Sequence, residues 1–174
     1  MDPHDTAMDD WRRNAAEHDD RNYEFLRSLK FPDDGVEPDE IAAPLHTQAF
    51  QIIDCTRCAN CCKTMSVRFT PDDVERIAAH LGMPADRFIA TYLMVIKDDD
   101  FGYAVENKPC PFLGPDDRCT IYEVRPTVCR EFPHTGKPDF ATRVMSHSNN
   151  ALQCPAVFWI VEQMRMKMAG ADRP

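Results

Sequence analysis

Apolar residues recur along this chain mostly with the spacing of helices. From Asp9 or Asp10 to Lys30, the residues Trp11, Ala15, Asn22, Phe25, Leu26 and Leu29 fall near the helical period and predict one helix with a thin stripe, suited to lying on a larger body. Residues 1–8 are polar and are expected to be disordered. Pro32 to Glu40 mixes prolines, a glycine and acids without periodicity and reads as a linker. The next helix is announced by Thr70-Pro71-Asp72-Asp73: a threonine cap, a proline in the first turn and acids at the positive end of the helix dipole. Val74, Ile77, Ala78 and Leu81 form its stripe and Gly82 its stop. A further helix from about Pro84 to Val95 buries Phe88, Ile89, Tyr92 and Leu93, and the pair makes a helical hairpin. Ile96 to Val105 alternates loosely around Asp98-Asp99-Asp100, as a short β-hairpin does. These aspartates lack the alternating oxygens and closing glutamate of a calcium loop, and are assigned to the turn. A last helix begins at Cys154-Pro155, with Val157, Ile160, Val161, Met164 and Met168 on one side.

Charge divides the chain. Its net charge of -9 is carried wholly by residues 1–54, with 14 acidic and 5 basic side chains against 15 and 15 in the remainder. This suggests an acidic N-terminal extension over residues 1–44, a helix at about 9–30 plus the linker, ahead of a domain over residues 45–170. The extension is a candidate surface for a protein partner. No basic face for nucleic acid is evident. The longest apolar run, Ala156 to Val161, falls well short of the roughly 20 residues a membrane helix needs, so no membrane partner is expected.

The chemistry lies in eight cysteines, of which Cys55, Cys58, Cys61 and Cys62 occupy eight consecutive positions and Cys110, Cys119, Cys129 and Cys154 follow. One or two thiols could be core residues, but four in so short a run need a chemical reason. Disulfides belong to secreted domains, and Met1-Asp2-Pro3-His4-Asp5 begins no signal peptide. The expected location is the reducing cytoplasm, where such a pattern points to bound metal. Eight thiolates divide into two four-cysteine sites, with the adjacent Cys61 and Cys62 directed to different ones or one of them spare. A helical run would put Cys55, Cys58 and Cys62 on one face, whereas a loop wrapped round a cluster would use Cys55, Cys58 and Cys61.

The run Cys55-x2-Cys58-Ala59-Asn60-Cys61-Cys62-Lys63 is followed by Cys110-Pro111-Phe112-Leu113, by Cys119-Thr120-Ile121-Tyr122 with Arg125-Pro126, and by Cys129-Arg130 with Phe132-Pro133. These blocks, in this order, resemble the CxxCxxCC cysteine-cluster family (YkgJ-type), described as chelating zinc or iron. The resemblance covers about residues 55–160 and leaves the acidic extension outside. It implies metal binding, with Cys55, Cys58, Cys61, Cys62, Cys110, Cys119 and Cys129 as ligands; Cys154 lies beyond the best-matched blocks and is added as the eighth. The family is related to flagellin lysine N-methylases, which carry a similar cluster.

A triple Cys-x2-Cys-x2-Cys closed by a remote Cys-Pro, Cys110-Pro111 or Cys154-Pro155, is nearer to the bacterial ferredoxin arrangement than to paired zinc knuckles. An iron–sulfur cluster, [4Fe–4S], is therefore favoured, with Zn2+ as the alternative for the same soft ligands. Arg57, Lys63, Arg118, Arg125 and Arg130 crowd the cysteines. Arg125 and Arg130, inside the matching blocks, are the ones expected to offset thiolate charge and donate to sulfur. His134 and His147 lie near enough in sequence to ligate, but eight cysteines suffice.

The fold class is thus mainly α with a short β-hairpin and irregular cysteine-rich loops, a small metal-stabilised α+β domain. No catalytic residue stands out: the six glycines form no phosphate loop, and neither HExxH nor GxSxG occurs. The leading reading is a metal-binding protein acting as a redox or modification-accessory protein. A zinc-stapled interaction module without redox activity is one alternative; an S-adenosylmethionine-dependent protein methylase-like enzyme, implied by the family relationship, is another.

Overall fold

The computed structural model describes residues 2–32, 35–97 and 100–171; Asp33 and Asp34 of the expected linker and Asp98 and Asp99 of the expected turn lie outside the described residues. The chain is mainly α-helical with one small antiparallel sheet. Its helices are α1 Pro3–Asn14, α2 Asp19–Ser28, α3 Pro38–Ile52, α4 Cys55–Cys58, α5 Asn60–Thr64, α6 Pro71–His80, α7 Ala85–Tyr92, α8 Thr127–Glu131, α9 Val144–Ala151 and α10 Pro155–Ala171. The strands are β1 Arg68–Phe69, β2 Leu93–Val95 and β3 Tyr103–Val105. These elements group into two compact units, one combining the chain up to Cys58 with the chain from Pro133 onward, the other running from Ala59 to Phe132.

The first unit is built on α10. Ala156, Val157, Phe158, Ile160, Val161 and Met164 are all buried, a wider face than the single side expected, because α3, α9, α2 and α1 pack around it. The expected helix over residues 9–30 is two helices, and residues 3–8 are helical rather than disordered. The start signal is present: Asp2 caps α1 by accepting from the His4 N–H at 2.9 Å, and Pro3 occupies the first turn. The break falls before Asp19 and Asp20, acids that suit a first turn better than a helix interior, and places His18 with its ring 6.0 Å from that of Phe158. Helix α3 departs from the expected linker. Pro38, Asp39 and Glu40 form its first turn, and Ala42, Leu45 and Ala49 its buried stripe. The Asp39 carboxylate then accepts from the Asp139 and Phe140 N–H groups at 2.7 and 2.8 Å, tying the loop before α9 to this turn.

The second unit follows the expected pattern more closely. Thr70 and Asp73 form a reciprocal capping box: the Thr70 hydroxyl accepts from the Asp73 N–H at 3.1 Å, and the Asp73 carboxylate accepts from the Thr70 N–H at 3.2 Å. Thr70→Ala should cost about 1 kcal/mol in urea unfolding; a shift indistinguishable from zero would show that the box contributes nothing. Gly82 closes α6 with φ +68, a conformation that needs glycine. Helix α7 ends at Tyr92, earlier than expected, because Leu93–Val95 pairs with β3 as β2, Leu93 opposite Val105. Strand β1 completes the sheet in the order β1-β3-β2. Phe69, Phe88 and Phe112 join Val74, Ile77, Leu93, Val105 and Ile121 in one core, with the Phe88 and Phe112 rings stacked at 5.9 Å. Cys110 belongs to this core, and Cys62 and Cys119 pack against it.

Candidate metal centre

None of the eight cysteines is in a disulfide. The run Cys55–Cys62 is neither a continuous helix nor a plain loop. Its two short helices, α4 and α5, are separated by Ala59 at φ 51, and the division between the compact units falls between Cys58 and Ala59.

In the second unit, α5 carries Cys61 and Cys62. The Cys62 carbonyl accepts from the Cys110 N–H at 2.8 Å, which fixes the second cysteine block against the first. The chain then folds back on itself. Leu113 bridges Cys119, the Gly114 N–H donates to the Arg118 carbonyl at 2.8 Å, and the Thr120 N–H donates to the Phe112 carbonyl at 2.8 Å. This tight loop brings Cys119 beside Cys110, and it needs glycine at position 114. A Cβ there would stand 2.8 Å from Asp116 Oδ1 and 3.1 Å from the Arg118 carbonyl. Pro126 opens α8 and accepts from the Cys129 N–H at 2.9 Å, placing Cys129 in its first turn.

Burial and neighbouring charge act on these four thiols unequally. Burial pushes Cys129 up to about 12, and Cys62, Cys110 and Cys119 each push in the same direction while Arg125 opposes them. Burial likewise raises Cys110 to about 11, helped by Cys62 and Cys119, and raises Cys119, again with Cys62 adding to the effect. Cys62 goes the other way, down to about 7, chiefly through a hydrogen bond with Cys61 and further through Lys63. Backbone donors already point at two of the sulfurs: the Phe112 N–H serves Cys110 and the Ile121 N–H serves Cys119, each two residues along. Such donors favour the thiolate, the form that binds metal.

The first unit holds the other three. Asp54 caps α4, its carboxylate accepting from the Thr56 N–H at 2.8 Å and the Thr56 hydroxyl at 2.7 Å, and its carbonyl from the Cys58 N–H at 3.2 Å. That turn sets Cys55 and Cys58 one helical turn apart. Cys154 sits just ahead of α10, where the N–H groups of Val157 and Ala156 donate to its sulfur. Burial pushes it up to about 12, and Cys55 and Cys58 add to the rise. Asp54 was missed in the sequence, although an aspartate directly before a helical turn is a recognised start signal.

Arg125 and Arg130 play unequal parts. The Arg125 charge lowers both Cys119 and Cys129, and its guanidinium lies 3.8 Å over the Tyr122 ring. Arg130 Nε donates to the Arg125 carbonyl at 3.1 Å, bracing that residue from behind. Arg57 pairs with Asp2 and Asp5 at 2.7 and 3.2 Å, and Lys63 with Asp117 at 2.5 Å. His147 is a core residue, fully buried with its ring 4.1 Å from that of Phe140, and burial pushes it down to about 4.

Among the described residues, no three His, Cys, Asp or Glu side chains are drawn together as a finished metal site. The donor chemistry nonetheless fits a soft cation: four thiols from four separate stretches, within reach of one another's charge, with N–H groups and an arginine beside them. Among the described residues, no helix is long and apolar enough to cross a membrane.

Fold and thiols together define a small helical protein of the metal-chelating class. Residues 54–155 match the model of the CxxCxxCC family, described as "Putative zinc- or iron-chelating domain", and the chain belongs to that family. The matched span encloses all eight cysteines, Cys154 included. The chain is also similar to an uncharacterized protein of Methanocaldococcus jannaschii, 34% identical over 86 residues that cover 47% of this chain and 44% of that one. It therefore spans less than half the length of that relative. No solved structure matches.

Proposed function

We propose that Cys62, Cys110, Cys119 and Cys129 form a four-thiolate centre in the second unit, that it holds iron in an iron–sulfur cluster, and that the protein serves as a cytoplasmic redox or modification-accessory protein. The observation that supports the centre is that the Cys110 N–H donates to the Cys62 carbonyl at 2.8 Å and that Cys62 and Cys119 pack against the same core as Cys110, with Cys129 following on α8. Charge balance supports it, since thiolates in a largely buried setting need a cation to offset them, and burial raises Cys110, Cys119 and Cys129. These residues would bind and orient the cofactor: the Phe112 and Ile121 N–H groups hold the sulfurs of Cys110 and Cys119, and Arg125 lessens the net negative charge. A bound cluster would supply one-electron chemistry, at a potential set by those hydrogen bonds and that charge.

A second reading is a zinc-stapled interaction module that recruits a protein partner through residues 1–44. One feature supports it: the second unit carries five of the eight cysteines, enough to furnish a closed four-thiolate zinc site by itself. Purification under anaerobic conditions, followed by assay of iron, acid-labile sulfide and zinc, separates the two. A brown protein with matching iron and sulfide is the expected result. A colourless protein with stoichiometric zinc would replace the cluster by the staple, and a protein that retains neither metal would end both readings.

A further inference from the structure

Helix α1 lies outside the span shared with the family, yet its start sits on the first residues of that span. Arg57, on the α4 turn, has its two terminal guanidinium nitrogens taken by two different carboxylates: Nη1 donates to Asp2 at 2.7 Å and Nη2 to Asp5 at 3.2 Å. These acids stand three residues apart at the start of a helix, and hence on one face. Between them, His4 Nδ1 accepts from the Asp54 N–H at 3.1 Å. The remainder of α1 is thinly held. His4 and Met8 are its buried side chains, and the Trp11 indole N–H donates to the Ala151 carbonyl at 3.0 Å. Both ion pairs are about half exposed, so each contributes little and is readily exchanged. None of these contacts uses a sulfur.

We propose that the Arg57 guanidinium marks a docking surface for an acidic segment of a partner protein, and that α1 occupies this surface as an internal competitor. What fits the surface is shown by what covers it: a first helical turn with two carboxylates three residues apart. A guanidinium presents its donors in a fixed fork, so a pair of carboxylates at that spacing is favoured over a single charge. The covered residues, Asp54 and Arg57, belong to the shared span and the cover does not, which is the arrangement of a latch over the domain's own surface. A hinge is available, because residues 15–18 separate α1 from α2. Helix α2 has its own anchors in the buried Leu26 and in Arg21, which donates to Glu162 at 2.6 Å, so α1 can lift without unseating it. A partner then binds only the molecules in which α1 has lifted, and its apparent affinity is reduced by that fraction. Cys55 is exposed and two residues from Arg57, so a docked partner would lie beside the first cysteine stretch. The inference holds whichever metal the thiols take, and gives α1 a part opposite to that in the staple reading: it blocks a partner instead of recruiting one.

The test uses the full-length protein and, as probe, a synthetic peptide of residues 1–16 labelled with fluorescein at its C-terminus, with binding read by fluorescence anisotropy. Asp2→Asn combined with Asp5→Asn releases the latch while keeping a capping side chain ahead of α1. This double variant should bind the peptide about tenfold more tightly than wild type, the scale of removing two exposed ion pairs. Adding Arg57→Gln should abolish the gain, whereas Arg57→Lys, which keeps the charge but not the fork, should retain part of it. A peptide in which Asp2 and Asp5 are replaced by asparagine should not bind. Equal affinity of wild type and the double variant, or no binding by either, would overturn the role of α1. A gain that survives Arg57→Gln would overturn the docking surface. A wild-type protein that is dimeric in sedimentation, and monomeric once Arg57→Gln is introduced, would make a second copy the occupant and overturn the acidic partner.

Discussion

Cys129→Ser should strip the metal from the second unit and abolish its cooperative melting. A serine oxygen is a hard donor and a poor substitute for thiolate around zinc or iron. The other three thiols of the proposed centre, Cys62, Cys110 and Cys119, would stay packed in or against an aromatic core with no full ligand set to balance them. The energy at stake is large: cysteine-ligated zinc contributes about 10–16 kcal/mol in small peptides, against a net stability of about 5–15 kcal/mol for a whole domain. Circular dichroism melts, paired with metal analysis of the same samples, would register the change. His80→Ala is the natural comparison, being an exposed residue at the end of α6. Identical melting temperatures for these two variants would mean that the centre does not hold the unit together.

Asp73→Ala should lower stability by about 3 kcal/mol near neutral pH, because it takes away a fully buried carboxylate around which donors from two separate stretches are arranged. Asp73 Oδ1 accepts from Arg76 Nη2 at 2.6 Å, from the Thr127 N–H at 3.1 Å and from the Thr127 hydroxyl at 3.0 Å, while Oδ2 accepts from the Thr70 N–H. Arg76 Nη2 also donates to the Arg125 carbonyl at 3.2 Å, so the same network steadies the segment that carries Arg125 and leads into α8 and Cys129. Burial alone would raise the Asp73 pKa; the hydrogen bonds from Arg76, Thr70 and Thr127 outweigh it and hold the group below its ordinary 3.8. With the folded pKa depressed, the unfolded chain takes up the proton first. This contribution is present in full above 3.8 and is lost as pH falls from there through the folded pKa. Urea titrations over that acid range should show wild type losing its advantage over Asp73→Ala. A constant gap between the two would contradict the assignment. Thr70→Ala and Asp73→Ala share a capping box, so the double variant should cost less than the two effects added.

How far the sequence could be read depended on whether the signal was local. Helix α6 was fully legible because cap, first-turn proline, stripe and stop glycine lie within a dozen or so consecutive residues. The C-terminal helix was recognisable by its apolar content, although packing around nearly its whole circumference was not. Helix α3 was hidden because a proline followed by acids serves a linker and a helix start equally well, and only the buried Ala42, Leu45 and Ala49 decide between them. Strand β1 has two residues, too few for any period. The cysteines pointed to bound metal through their concentration in Cys55–Cys62 and the order of the later blocks. Their grouping was not legible, since it depends on Ala59 taking a left-handed conformation between two short helices, and nothing about alanine calls for that. The bridge between Leu113 and Cys119 did leave a trace in Gly114-Pro115-Asp116-Asp117, a turn that returns the chain on itself.

The unit from Ala59 to Phe132 is one uninterrupted stretch, whereas the other is assembled from the chain before it and the chain after it. During synthesis the inner stretch can therefore fold as soon as Phe132 has cleared the ribosome. Cys55 and Cys58 emerge earlier, but their unit must wait for α10, the helix around which it is built. Translation order thus imposes an order of folding, inner stretch first, and a ribosome stalled between Phe132 and Cys154 would display a nascent chain in which only the inner stretch is complete.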